Sequence, residues 1–110
     1  MTDKIVVLVT CGSARQARTI ATELVKRRLA ACGNVIEVPV RSIYRWNGKV
    51  ESAKEFLLIL KSSRPRFAAL EKAVRELHSY DVPEVIALPV VVGSGRYLDW
   101  ISESVAAVRK

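Results

Sequence analysis

The sequence predicts an α+β fold with two helices packed on one antiparallel sheet, and three observations carry that prediction. Four apolar or alternating stretches read as strands, and three further stretches repeat their apolar residues at helical spacing. The middle two strands are joined by Asn47-Gly48, the pair that supplies positive φ at both centres of a type I′ hairpin turn. The resulting order, βαββαβ plus a terminal helix, is the ferredoxin-like split βαβ arrangement, and right-handed crossovers put both helices on one sheet face.

Ile5 to Val9 is an uninterrupted β-branched and leucine run ended by Cys11-Gly12, as suits a strand buried on both faces. Ser13, with Gln16 three residues later, fits a capping box, so the first helix starts there. Ala17, Ile20, Ala21, Leu24 and Val25 form its apolar side, while Arg15, Arg18, Lys26, Arg27 and Arg28 make the other side basic. Gly33-Asn34 is expected to stop it after Leu29 to Cys32.

From Val35 to Lys61 the chain reads as two long strands around the Asn47-Gly48 turn. Ile36, Val38, Val40, Tyr44 and Trp46 share one face of the incoming arm, alternating with Glu37, Arg41 and Arg45. Pro39 cannot donate to a ladder, so this arm is an edge strand or carries a bulge. The outgoing arm begins mixed and becomes solidly apolar from Phe56 to Leu60. Each arm of about twelve residues spans roughly 40 Å at ~3.3 Å per residue. A domain of this length has a radius of gyration near ~13 Å, so the aromatic tip at Tyr44 and Trp46 must overhang and pack on something else.

Ser62-Ser63-Arg64-Pro65 opens the second helix, with Phe67, Leu70, Val74 and Leu77 inward. His78 to Pro83 ends it, because Pro83 disfavours helix at Val82. Val85 to Leu88 forms the fourth strand, broken at Pro89 and closed by Gly93-Ser94-Gly95. Leu98, Ile101, Val105 and Val108 then give the third helix a narrow apolar stripe.

Three strands look apolar on both faces, yet the crossover helices cover only one. The other face and the overhanging ribbon both need burial by a second chain, which predicts a homo-oligomer. Residues 1–110 read as a single domain, large enough for a real core and too short for two. The formal charge of +7 fits an acidic partner of some kind, but charge speaks to association rather than fold. Two cysteines and no signal-peptide pattern point to free thiols in the cytoplasm, and no stretch approaches a membrane span.

A single histidine excludes any site built from several imidazoles of one chain. His78 stands at a helix C-terminus beside Tyr80, Asp81 and Glu84, where it serves either as a cap favoured by the helix dipole or as a functional group. Cys11, before a helix N-terminus, is either a thiolate of lowered pKa or a small residue packed at a turn. Cys32, in Leu29-Ala30-Ala31-Cys32-Gly33, fits a packed core thiol. The topology lets Cys11, His78, Tyr80 and Glu84 approach one another, with Trp46 arriving from a neighbouring chain. Cys32 lies beyond a helix of about 30 Å, at ~1.5 Å per residue, so no ion can bridge the two cysteines of one chain. Thiolate with imidazole suits copper or zinc rather than magnesium or calcium.

The sequence contains no CxxC, P-loop or GxGxxG and no supported set of nucleophile, base and orienting group, which argues against an enzyme. Gly93-Ser94-Gly95 fits a plain loop better than an anion site. An RNA-binding sheet would need stacking aromatics on its central strands, and only Phe56 is offered, so nucleic acid is not the expected partner.

Three stretches, Ala30 to Val35, Ser42 to Glu51 and Leu77 to Val90, together with Tyr97-Leu98-Asp99-Trp100-Ile101, closely resemble the CutA divalent-cation-tolerance family. The resemblance covers nearly the whole chain. It implies a ferredoxin-like homotrimer similar to the PII signalling proteins, with copper binding and a role in the response to metal ions. Carried over, it implies metal contacts from Cys32 and His78, joined by Glu84, Tyr80 and Cys11. Two positions depart from the family pattern: Gly12, where members often carry Pro, and Ser79, where Pro usually follows the histidine. The alternative function it leaves open is a PII-like regulator that takes an anionic small molecule in clefts between subunits.

Overall fold

The Asn47-Gly48 turn forms as its residues dictate: φ is 50° at Asn47 and 76° at Gly48, both in the left-handed region. In the computed structural model, which describes residues 2–107, this turn joins β3 (Val40–Trp46) to β4 (Lys49–Ser63). Around them the chain runs β1 (Lys4–Cys11), α1 (Ala14–Lys26), β2 (Cys32–Val35), then, after the hairpin, α2 (Phe67–Leu77), β5 (Val85–Pro89) and α3 (Gly95–Ser104). All pairings are antiparallel, in the order β2-β4-β1-β5, with β3 on β4. The predicted α+β, ferredoxin-like architecture is the one observed.

Along β1, Ile5, Val7, Val9 and Cys11 are buried, while Val6, Leu8 and Thr10 between them are only half-buried. Opposite them on β4, Leu58, Leu60 and Ser62 are fully buried. With Ile20 and Leu24 of α1 and Leu70 and Val74 of α2 they form the core. One face of β1 is therefore sealed by helices and the other is open in the single chain, so burial of the strand on both faces would need a second chain.

Ser13 caps α1, its Oγ accepting the Gln16 N–H at 3.1 Å. The helix then ends at Lys26, well short of Leu29 to Cys32. Arg28 takes a left-handed conformation (φ 59°), and Leu29 N–H turns back to the Leu24 carbonyl at 2.9 Å. Cys32, expected at the helix end, and Gly33-Asn34, expected as its stop, instead belong with Val35 to strand β2. The Arg28 side chain meanwhile donates to the Glu103 and Ala106 carbonyls at the end of α3, at 2.6 and 2.7 Å.

The incoming hairpin arm is also not one strand. Val35 faces Leu58 and Val40 faces Glu55, so residues 36–39 stand opposite only Phe56 and Leu57. Pro39 explains the interruption, since it has no N–H for the ladder; the Ile36 N–H to Leu57 carbonyl bond, 3.0 Å, survives. Beyond this bulge the ribbon projects from the sheet, giving a longest extent of 46 Å and a radius of gyration of 14.6 Å. Ile43 and Val50 on it are 71% and 68% exposed.

Gly33 points toward α1, so its neighbours Cys32 and Asn34 lie on the opposite sheet face. There α3 packs through Leu98, Ile101 and Val105 on Ala31. The α3 stripe is thus as expected up to Val105; Val108 lies outside the described residues. The rest of that face stays uncovered, with Ile86 and Leu88 of β5 about half exposed beside Val6 and Leu8. Among the described residues no helix is long and apolar enough to cross a membrane.

A Cβ at Gly33 would come within 2.8 Å of the Ala21 Cβ and 3.1 Å of Leu60. Gly33→Ala is therefore expected to destabilise the fold by about 1–3 kcal/mol through overpacking. Gly95→Ala, where nothing lies within 4 Å, should be neutral or slightly stabilising. Denaturant unfolding at one fixed protein concentration checks the pair; equal effects would refute the close approach.

Candidate functional site

The polypeptide leaves α2 in an extended conformation at His78, which turns the imidazole back toward the end of β1. Its Nε2 lies 2.8 Å from the Thr10 carbonyl oxygen, and its Nδ1 accepts the Tyr80 backbone N–H at 3.0 Å. A carbonyl oxygen only accepts, so Nε2 carries the proton and the Nδ1 lone pair is already engaged. The Tyr80 ring packs against the imidazole with centroids 4.5 Å apart. It also lies over Gly12, where an added Cβ would sit 3.4 Å from the phenol oxygen.

From that position the Tyr80 hydroxyl donates to Glu55 Oε2 at 2.9 Å. Glu55 is 8% exposed, although it stands in an otherwise exposed stretch of the hairpin root. Loss of water followed by the hydrogen bond to Glu55 pushes the Tyr80 phenol up to about 12. Cys11, one position before Gly12 and fully buried, is pushed from 9.0 to about 11 by burial and then by the Glu55 charge. It is a thiol at neutral pH, not a thiolate of lowered pKa.

Three of the five candidates, Cys11, His78 and Tyr80, thus gather at the root of the hairpin. Glu84 is exposed on the approach to β5 and makes no side-chain hydrogen bond or ion pair among the described residues. Cys32 is elsewhere. It faces Lys61 on β4 while Cys11 faces Phe56, five positions away, which is roughly 17 Å at ~3.3 Å per residue. The residue is half-buried, its sulfur is 3.7 Å from the Tyr97 hydroxyl of α3, and Tyr97 in turn packs on Trp100 with ring centroids 5.4 Å apart. Burial, then the contact with Cys32, raises the Tyr97 phenol pKa. Trp46, at the ribbon tip, is 49% exposed.

A soft ion is held by thiolate sulfur or by a free imidazole lone pair. The Cys11–His78 group offers neither within one chain, because its sulfur is held protonated and both ring nitrogens are bonded. Among the described residues no three His, Cys, Asp or Glu side chains are grouped to hold a metal. Cys32 is the cysteine that is only half-buried. Two residues of these clusters were not anticipated. Glu55 is signalled only by its place just before the apolar run, and its partner depends on the β1–β4 register. Tyr97 depends on which sheet face α3 covers.

Residues 5–104 match the family model for the CutA1 divalent ion tolerance protein. A divalent-cation tolerance protein CutA of Thermus thermophilus is 48% identical over 99 residues, covering 90% of this chain and 95% of that protein. A chloroplastic CutA of Arabidopsis thaliana is 43% identical over 91% of this chain, which spans only 54% of that longer protein. Among solved structures, the Thermus thermophilus divalent cation tolerance protein superposes with a TM-score of 0.91 at 46% identity, over 94% of this chain and 99% of that one.

Cys11 and Tyr80 are both held neutral more firmly in the folded chain than in the unfolded one. Their stabilising contribution is complete below about pH 9 and fades as pH rises through 9 to 12, Cys11 first. Unfolding midpoints of wild type should therefore fall across pH 9–11, and Cys11→Ala should flatten that part of the profile. Parallel profiles for the two proteins would rule out the assignment to Cys11.

Proposed function

The chain belongs to the CutA1 divalent ion tolerance family, and from that premise we propose that it is a non-enzymatic, homotrimeric protein of one 110-residue domain that takes up copper or a similarly soft ion through Cys32. The observation that carries the choice of residue is the contrast between the two sulfurs. Cys11 is fully buried and protonated, whereas Cys32 is half-buried at the margin of the uncovered sheet face. Thiolate sulfur favours copper and zinc over hard ions.

The trimer draws its support from the resemblance and from the surfaces that one chain leaves uncovered. Leu88, Ile86 and the ribbon residues Ile43, Val50 and Trp46 are large, apolar and 49–71% exposed. Closed rotational symmetry would bury the same patch on every copy. His78, Tyr80 and Glu55 take a different part in this reading. They fasten the loop after α2 to the hairpin root and hold the ribbon at a fixed angle for its neighbour. Two free cysteines, too far apart to bridge, support a reducing and hence cytoplasmic setting.

Anaerobic Cu(I) titration against a competing chelator tests the assignment in wild type, Cys32→Ser, Cys11→Ser and His78→Ala. Cys32→Ser should weaken binding by about 100-fold or more, since even partners outside a ligand set cost about 10–100-fold. Cys11→Ser and His78→Ala should stay within about threefold of wild type, well under one tenfold step of about 1.4 kcal/mol. Binding that follows His78 and ignores Cys32 would contradict the proposal.

A further inference from the structure

We infer that the outer surface of the α1–α2 layer docks the phosphodiester backbone of nucleic acid without regard to base sequence. Residues 13–28 carry five basic side chains and one acidic, and residues 64–77 carry four basic and two acidic. These two segments therefore carry a net +6 of the chain's +7, or +5 without Arg28, whose side chain turns to the end of α3, while the much longer sheet, hairpin and α3 segments are close to neutral. Charge is segregated onto one face, and such a footprint favours a polyanion.

The two helices run antiparallel across the sheet, with Ser79 just after α2 donating to Gln16 at the start of α1 at 3.2 Å. Arg15 and Arg18 thus lie at one end of the layer with Arg75, and Lys26 and Arg27 at the other with Arg64. This arrangement works against the stability of the helices themselves. Neither α1 nor α2 has an acidic residue in its first turn; Arg15 occupies the first turn of α1, and Arg64 and Arg66 precede α2. Positive charge at a helix N-terminus opposes the macrodipole. Among the described residues, Arg15, Lys26, Arg64 and Lys72 form no ion pair, and Arg66 Nε is buried without a hydrogen-bond partner.

The chemistry of the face suits phosphate. A shallow depression of about 400 Å³ on α1 is lined by Arg15, Arg18, Thr19, Thr22 and Glu23, with Glu23 paired to Arg27, Arg18 paired to the exposed Glu37, and the Thr22 hydroxyl donating to the Arg18 carbonyl. Arg15 and Thr19 thus offer the guanidinium and hydroxyl donors that contact phosphate oxygens, and a phosphate would compete with Glu37 for Arg18. A thirteen-residue helix is roughly 20 Å long, which matches about six phosphates of one strand at ~3.4 Å each. A membrane fits less well, because Val25, 40% exposed, is the one large apolar side chain on this layer that could enter an acyl boundary. The lack of stacking aromatics on the sheet is no obstacle, since the contact is to phosphate. If the open sheet face is covered by other copies, the helix layer faces outward.

Fluorescence anisotropy with a labelled 20-base-pair duplex, on the intact protein, tests the inference. Wild type should bind unrelated duplexes alike, with a log–log salt slope of about −4, as for four to five neutralised phosphates. Arg15→Glu/Arg64→Glu should weaken binding by about tenfold or more at 100 mM salt while leaving the unfolding midpoint equal or higher, because both changes favour the helix dipoles. Lys54→Glu/Arg96→Glu removes the same charge from the remainder of the chain and should weaken binding by less than about threefold. Equal losses in the two double variants would overturn the inference, as would no duplex binding at 50 mM salt. So would tight binding to phosphatidylserine vesicles with none to duplex, which would assign the face to a lipid surface.

Discussion

Strand β4 has to satisfy three partners at once, and the other parts of the molecule take their positions from that constraint. Its C-terminal half lies between β1 and β2, and its N-terminal half pairs only with β3 in the ribbon. Period-two geometry makes the register strict, since a slip by one residue would exchange Leu58 and Leu60 for Leu57 and Ile59 on the helix face. The turn at Asn47-Gly48 fixes the hairpin end of that register, and the two-residue excess at 36–39 keeps side chains on their proper faces where Pro39 interrupts the ladder. Glu55, at the junction between the shared and the single-sided halves, is where the loop after α2 fastens through Tyr80.

The same constraint produces the surfaces that define the molecule's relations with others. Two crossovers of one hand place α1 and α2 on the same face, and α3 covers the other only near β2. At ~25 cal/mol per Å² of apolar surface, leaving Val6, Leu8, Ile86 and Leu88 in water is costly enough that additional copies are the natural cover. The helix face is the opposite case: sealed beneath, strongly basic outside, and turned away from the sheet face that copies would share.

Much of this was legible in the sequence where one local rule had no rival. Asn47-Gly48 had a single reading as a turn, Ser13 with Gln16 marked the start of α1, and Pro65 and Pro83 bracketed α2. What escaped depended on tertiary choices. The end of α1 is set by Arg28 in a left-handed conformation, a place where glycine would have announced itself. Gly33-Asn34 reads as a stop and so places Cys32 at a helix end, yet Gly33 is needed for the close approach of β2 to α1. In the candidate site, the meeting of Cys11, His78 and Tyr80 followed from topology alone. Glu55 and Tyr97 did not, because each depends on register or on the side of the sheet an element chooses. Nor could topology show that the His78 ring spends both nitrogens on backbone groups.

The central claim is that one chain leaves a sheet face which copies of itself complete, and sedimentation equilibrium tests it most directly. At micromolar concentration the account predicts a particle of three chains of 12.2 kDa each. Leu8→Lys/Leu88→Lys, which puts charge on that face without touching the helix-side core, should shift the mass toward the single chain while circular dichroism keeps its α+β signature. A wild-type mass of 12.2 kDa, or a trimer indifferent to the two lysines, would contradict it.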